Sequence, residues 1–185
     1  MRIIFSALLI IIPFISVSQN QEVDRRNGFK EIKMGFNYEN FTGIREIPSS
    51  SPNQIIGIWN TSDEDLGYLF DNKIDFFELT FDKLTKKLII LRAVIMIKKP
   101  WPEPSVFNKF KSINEKLMHA LGSPDKSNQD DGLSFMWIGD KTAMGLLLSP
   151  EKLDLDDEQN IVGLTSIKFV VLSIDFIEKN ANKGF

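Results

Sequence analysis

The one histidine of this 185-residue chain, His119, lies in the stretch EKLMHALGSPDK at residues 115–126. Histidine is the usual general base and a common metal ligand near neutral pH. Its spacing places it on the polar side of a predicted helix, in the last turn, where the helix dipole favours a partly positive imidazole. No second histidine is present to join it as a ligand. We therefore interpret His119 as a solvated helix-end residue and predict no catalytic or metal-binding role for it.

Acidic residues offer two further sites for chemistry. The loop Asp154–Glu158 could bind Ca²⁺, but it lacks the glycine and the late glutamate of an EF-hand, so we interpret it as a solvated loop. Asp140 with Asp130 or Asp131 could supply the two carboxylates of a hydrolase. No nucleophile motif or phosphate-binding glycine loop accompanies them. The sequence therefore predicts no catalytic residue, no metal site and no cofactor.

Aromatic side chains are the remaining candidates for a binding site. The chain has 15 Phe and 3 Trp but only 2 Tyr. Most of them fall at alternating or helical spacings, which predict a core rather than a ligand platform. A carbohydrate or peptide groove could still be built on Trp59, Trp101 or Trp137. Asp140 is close in sequence to Trp137 and could contribute to the same groove. These four residues are the predicted binding residues.

Composition narrows the classes of function. The absence of cysteine excludes a disulfide scaffold, a thiolate zinc site, a thiol nucleophile and a cysteine redox motif. The formal net charge is −3, and no basic run is long enough to follow a phosphate backbone, so nucleic acid is not an expected partner. The expected partner is a protein or another component of the cell envelope, and the oligomeric state stays open.

The segment MRIIFSALLIIIPFISVSQN has the pattern of a secretory signal peptide, with Arg2 before an apolar run and small residues at Ser16 and Ser18. A membrane anchor is the alternative, but a span needs about 20 apolar residues, and this run is shorter and ends near Pro13. We predict cleavage after Ser18. The mature protein is then exported to the periplasm or the extracellular space and has no membrane span.

Strands are predicted where apolar residues alternate or run continuously. IIGIWN (Ile55–Asn60) is a short apolar strand. Leu88–Ile97 is apolar at nearly every residue, as in a central strand covered on both faces. Upstream, the spacing of Phe29, Ile32 and Phe36 fits a short helix or an irregular strand equally well.

The clearest helix is SVFNKFKSINEKLMHALG, with Ser105 as the predicted N-cap, Gly122 after the last turn and Pro124 preventing continuation. Its apolar stripe is Val106, Phe110, Ile113, Leu117 and Ala120 or Leu121. Beyond it, SFMWIGDKTAMGLLLSP predicts a hairpin with its turn at Gly139–Lys141, and TSIKFVVLSIDFI predicts a last strand.

These elements define the predicted organisation. Three prolines between Lys98 and Pro104 indicate a linker, because proline cannot continue a helix or a central strand. We predict a signal peptide at 1–18, an N-terminal half at 19–97, the linker at 98–104 and a C-terminal half at 105–185. The predicted fold class is α+β, an antiparallel β-sheet with helices packed on one face. The pattern fits either two similar α-β-β-β halves or one undivided domain.

At EKLMHALGSP (residues 115–124) the chain resembles small exported bacterial domains of the SmpA/OmlA (BamE-like) and β-lactamase-inhibitor-protein type. Their helix-end signature is E-[VIL]-x-x-x-L-G-x-P, and Leu117, Leu121, Gly122 and Pro124 match it. The resemblance implies a short helical hairpin on an antiparallel sheet, sometimes in tandem. The Gly-x-Thr helix start, the BamE-like lipidation cysteine and the inhibitors' disulfides are absent. It therefore implies architecture and not the assembly or inhibitor role.

From these observations we expect an exported, non-enzymatic module that binds a protein or another envelope component. The alternative is an unrecognised hydrolase or carbohydrate-binding protein that uses acidic residues and Trp137. A pocket with convergent polar groups would favour the alternative, whereas an exposed sheet face would favour the binding module.

Overall fold

A computed structural model describes residues 21–99, 103–128, 133–150, 154–155, 161–162 and 165–181. The predicted signal peptide, Trp101, Asp130 and Asp131 lie outside these residues, as do residues 156–158 of the acidic loop. Among the described helices, none is long and apolar enough to cross a membrane.

The described chain is rich in short strands. Residues 28–97 form β1 (Gly28–Phe29), β2 (Ile32–Lys33), β3 (Arg45–Ile47), β4 (Gln54–Trp59), β5 (Tyr68–Leu69), β6 (Asn72–Lys73), β7 (Phe76–Asp82) and β8 (Leu88–Ile97). Residues 126–173 form β9 (Lys126–Asn128), β10 (Ser134–Ile138), β11 (Thr142–Pro150), β12 (Asp154–Leu155), β13 (Ile161–Val162) and β14 (Thr165–Ser173). The helices are α1 (21–26), α2 (Pro104–Leu121) and α3 (Ile174–Ala181), with a 3-10 helix at Tyr38–Asn40.

Eight strands join in one antiparallel sheet with the order β3-β4-β7-β8-β14-β11-β10-β9. Each half of the sheet is a four-stranded meander whose strands follow in chain order, and β8 pairs with β14 at the centre. The α+β prediction is confirmed. Each half has one strand more than an α-β-β-β unit, because the short edge strands β3 and β9 were not predicted.

Strand β8 has the predicted bounds and lies at the centre of the sheet. Its residues Leu91, Ala93 and Ile95 are buried against the helices, whereas Ile90 and Met96 on the opposite face are only half-buried. Val94 on that opposite face is buried at 2% exposure, so the prediction that both faces are covered is right for the packed face and only in part for the other.

One hydrophobic core lies between the sheet and helices α1 and α2. Helix α2 buries its predicted stripe there: Val106, Phe110, Ile113, Leu117 and Leu121. Val23 of α1 is buried in the same core. Asn114 was not predicted on this face, yet it is buried and its side-chain amide donates to the sulfur of Met118 at 3.5 Å. Both helices thus pack on one face of the sheet, as predicted.

The start of α2 differs from the prediction. Glu103, not Ser105, is the N-cap, and Pro104 is the first helical residue instead of the end of a linker. Proline fits this position because the first turn has no intrahelical acceptor for its missing N–H and because its fixed φ is already helical. At the other end Gly122 has φ 86°, as predicted for a helix-terminating glycine.

The ambiguous segment near Phe29 forms an irregular strand. Strands β1 and β2 make a hairpin whose turn is Lys30 and Glu31, and the 3-10 helix follows. Phe29 and Ile32 are buried, whereas Phe36 is exposed.

Candidate functional site

Trp137 is fully buried, at 0% exposure, on the packed face of strand β10. Its indole N–H donates to the carbonyl oxygen of Gly122 at 2.9 Å. The strand therefore meets the end of helix α2 through this side chain. The prediction of a binding role for Trp137 is corrected, because a side chain without exposed surface cannot contact a ligand.

Trp59 is half-buried at the end of β4. Its indole N–H donates to the carbonyl oxygen of Thr42 at 3.0 Å, and its ring packs edge-on against Phe41 with centroids 5.3 Å apart. Four strands of the sheet separate β4 from β10, so the fold does not bring Trp59 and Trp137 together. The predicted binding residue Trp101 lies outside the described residues.

Asp140 is exposed in the three-residue turn between β10 and β11, where the sequence predicted a turn. Its predicted carboxylate partners lie outside the described residues. His119 is exposed on α2, in agreement with its interpretation as a solvated residue. Within the described ranges, no group of three or more His, Asp or Glu side chains could hold a metal ion.

The turn at Asp140 is held by a residue that sequence reasoning missed. The carboxylate of Asp24 accepts hydrogen bonds from the backbone N–H groups of Asp140 at 2.9 Å and of Lys141 and Thr142 at 3.0 Å. These contacts fix α1 to the C-terminal half of the sheet. No local pattern identifies them, because Asp24 is 116 to 118 residues from its partners.

The face of the sheet opposite helices α1 and α2, which we call the open face, has an unusual composition. Side chains alternate between the two faces of a strand, and an antiparallel sheet with one packed face normally presents polar residues on the other. Here the pairing registers align a nearly continuous apolar row across seven strands: Ile47, Ile56, Thr80, Ile90, Leu172, Ala143 and Ile138. This row of the open face is therefore apolar apart from Thr80; Thr80 and Ala143 are buried within it, and its other five residues are half-buried.

The next row of the open face has an ion pair at its centre. Arg92 of β8 donates to the carboxylate of Glu78 directly opposite on β7, and both side chains are partly exposed. Apolar residues flank the pair, Ile58 on one side and Val170 on the other. In an interface, apolar residues supply contact area and a charged pair fixes the orientation of the partner.

Near the β9 edge, the open face has a groove of about 420 Å³. Gly145 leaves the space, because it has no side chain at a position between Met136 and Val170 in the registers of β10, β11 and β14. The groove is flanked by the two most exposed large apolar side chains of this face, Met136 and Leu147. This end of the open face is its most accessible apolar part.

No protein-family model, curated protein or solved structure matches the chain.

Proposed function

We propose that this chain is an exported, non-enzymatic module that binds a protein of the cell envelope through the open face. The observation that carries the proposal is the apolar row where a solvated sheet face would be polar. Exposed apolar patches on soluble domains mark interaction surfaces, and the exposed apolar side chains of this face are Met136 and Leu147 at its β9 end. Export is supported by the N-terminal segment, in which Arg2 precedes an apolar run.

The dimensions of the open face suit a protein partner. Eight strands of 3 to 10 residues, spaced about 4.8 Å apart and about 20 Å long on average, give the face an outline of roughly 700 Å². One partner in an interface of standard size contributes about 800 Å². The surface also has a central ion pair, Glu78 and Arg92, with which a partner of complementary charge could be oriented.

The alternative, a hydrolase or carbohydrate-binding protein, has less support. Its aromatic platform fails because Trp137 is buried and donates its indole N–H to Gly122. Asp140 stays available to it as an exposed acidic residue.

We further infer that the two halves are similar units. The supporting observations are the matching strand order of the halves and the tryptophan near the end of the second strand of each, Trp59 in β4 and Trp137 in β10. In both cases the indole N–H donates to a backbone carbonyl that precedes the meander, in Thr42 and Gly122. The resemblance to BamE-like and inhibitor-type domains remains a proposal about architecture.

The open face can be tested by charge substitution at its accessible end. We would immobilise the mature chain, incubate it with envelope extract at several salt concentrations, identify the retained protein and measure its Kd after purification. Leu147→Glu places a carboxylate beside the groove at the β9 end of the proposed contact. We expect it to weaken binding at least tenfold, because a desolvated unpaired charge is strongly unfavourable.

The matched control is Leu84→Glu, which makes the same chemical change at a residue 92% exposed in the β7–β8 turn, whereas Leu147 is 38% exposed. Leu84→Glu should leave the Kd unchanged. Equal binding by the wild-type chain and by Leu147→Glu would contradict the proposal. So would a partner that is retained only at low salt.

A further inference from the structure

A cavity of about 360 Å³ lies on the packed side of the sheet, away from the open face. It is bounded by α1, the last turns of α2 and the hairpins β1–β2 and β5–β6. Its walls are apolar and reach core side chains: Phe29, Leu69, Leu117, Leu121, Met144 and Phe169. The volume is at the lower end of the range for small-molecule sites, which are mostly apolar with a few polar groups. We call it the basic pocket.

Four cationic side chains line the same cavity, Arg25, Arg26, Lys30 and Lys33, and no acidic residue of the described chain lines it. One carboxylate, that of Glu22, accepts hydrogen bonds from both arginines at 2.7 to 2.8 Å. The two lysines instead donate to backbone carbonyl oxygens, Lys30 to Asp65 and Lys33 to Arg26. Two ammonium groups beside the cavity thus have neutral acceptors, and the mouth carries net positive charge.

Three residues at or next to this mouth have a positive backbone φ. Lys30 and Phe70 both have φ 53°, and Asn27 has φ 38°. The left-handed conformation costs roughly 1–2 kcal/mol for a residue with a side chain, and it is a clear outlier for a bulky one. Lys30 and Phe70 are each the first residue of a two-residue hairpin turn, in β1–β2 and β5–β6, and the primed turns of such hairpins have positive φ at this position. These two turns place the side chains of Lys30 and Phe70 in the lining of the cavity.

We propose that the basic pocket binds an anionic amphiphile with a single acyl chain. The chain lies along Phe29, Leu117 and Phe169, and its carboxylate or phosphate head meets Arg26, Lys30 and Lys33. Charge complementarity selects the head group, because the described residues of the lining include cations and no anion. The apolar walls select the chain, because a small inorganic anion would leave them in contact with water. This site is independent of the open face, which lies on the other side of the sheet.

The test is calorimetric titration of the mature chain below the critical micelle concentration. Octanoate, decanoate and dodecanoate should bind with a Kd that falls about fourfold for each added methylene group until the cavity is full. Dodecyltrimethylammonium, which has the same chain and the opposite charge, should bind at least tenfold more weakly than dodecanoate. Inorganic phosphate alone should show no binding.

Two variants locate the binding. Lys30→Gln/Lys33→Gln should weaken dodecanoate at least about tenfold, because each charged hydrogen bond to the head group is lost. The matched control Lys109→Gln/Lys111→Gln makes the same charge change at exposed positions of α2 that do not line the cavity, and should have no effect. Ala120→Leu adds volume within the lining and uses a good helix former, so it should exclude the acyl chain.

The outcomes are distinct. Equal affinity for the cationic and anionic amphiphiles, or unchanged dodecanoate binding in Lys30→Gln/Lys33→Gln, would overturn the proposal. The lysine variant decides the matter even if Ala120→Leu fails to fold, because both lysines are exposed or half-buried at the surface. Comparison of dodecanoate with lysophosphatidylglycerol then identifies the source of the amphiphile as a free fatty acid or a membrane lipid.

Discussion

The two halves of the sheet have the same strand order but are covered in different ways. Helix α2 covers the C-terminal half with a mainly aliphatic stripe. Phe110 is the aromatic member of this stripe, and it stacks on Phe135 with centroids 5.8 Å apart. The N-terminal half is covered by residues 28–44, which contain the hairpin β1–β2 and the 3-10 helix. Aromatic pairs join this segment to the strands: Phe29 and Phe77, Tyr38 and Phe81, and Phe41 and Trp59.

The difference follows from backbone hydrogen bonding. A helix satisfies its own N–H and C=O groups, so its side chains need only supply apolar contact with the sheet. An irregular segment buries less of its backbone against the sheet. Its aromatic side chains make up for this lost contact area, because each ring buries about 150–250 Å². The irregular cover also leaves the basic pocket between its hairpins and α2. The pocket therefore lies where the two covers meet, over Met144 of β11 and Phe169 of β14.

The largest expected effect is at the tryptophan of the C-terminal half. Trp137→Ala should lower the free energy of unfolding by about 3–5 kcal/mol, because it leaves a large cavity and an unpaired Gly122 carbonyl. Denaturant unfolding followed by far-UV circular dichroism measures this loss. A loss below about 1 kcal/mol would mean that Trp137 is not the core residue described here.

Trp59→Ala should be milder, with a loss of about 2 kcal/mol, because this ring is only half-buried before the substitution. The same unfolding experiment compares the two variants directly. Equal losses would contradict the difference in packing between the halves. A milder loss at Trp59 would support it.

The contact between α1 and the C-terminal half predicts a third effect. Asp24→Asn should destabilise the fold by about 1–2 kcal/mol, because one of the two carboxylate oxygens that accept backbone N–H groups is replaced by a donor. Asp140→Asn makes the same charge change at the exposed turn residue and should stay within about 0.5 kcal/mol of wild type. Thermal unfolding of the two variants tests the pair. Equal shifts would show that net charge, and not the turn contact, is responsible.

The sequence predicted elements whose signals are local. The bounds of β8, the buried stripe of α2 and the turn at Gly139–Lys141 each follow from periodicity or turn residues within a short window. The contacts of Asp24 cross more than 100 residues and have no local signal. Edge strands β3 and β9 are too short for a periodic pattern to emerge.

The candidate site could be predicted only in part. The continuous apolar run at Leu88–Ile97 was visible, but such a run fits a strand covered on both faces as well as one with an apolar exposed face. Only the pairing registers show that Ile90 joins apolar neighbours on the side away from α1 and α2. Tryptophan presented the same ambiguity, because its large apolar surface suits a core and a ligand platform equally.

The smallest expected effect is at Glu22, which forms ion pairs with Arg25 and Arg26. Both arginines line the basic pocket. The hydrogen bond from Arg25, with a further one from Arg26, lowers the pKa of Glu22 from 4.5 to about 2. A lowered folded-state pKa stabilises the fold above the unfolded value, and this contribution is lost as the pH falls from about 4.5 towards 2. Exposed pairs contribute at most about 1 kcal/mol, so Glu22→Gln should be slightly less stable than wild type at pH 7. Unfolding across this pH range should show the two proteins converging, and a constant difference would assign the effect to packing instead of charge.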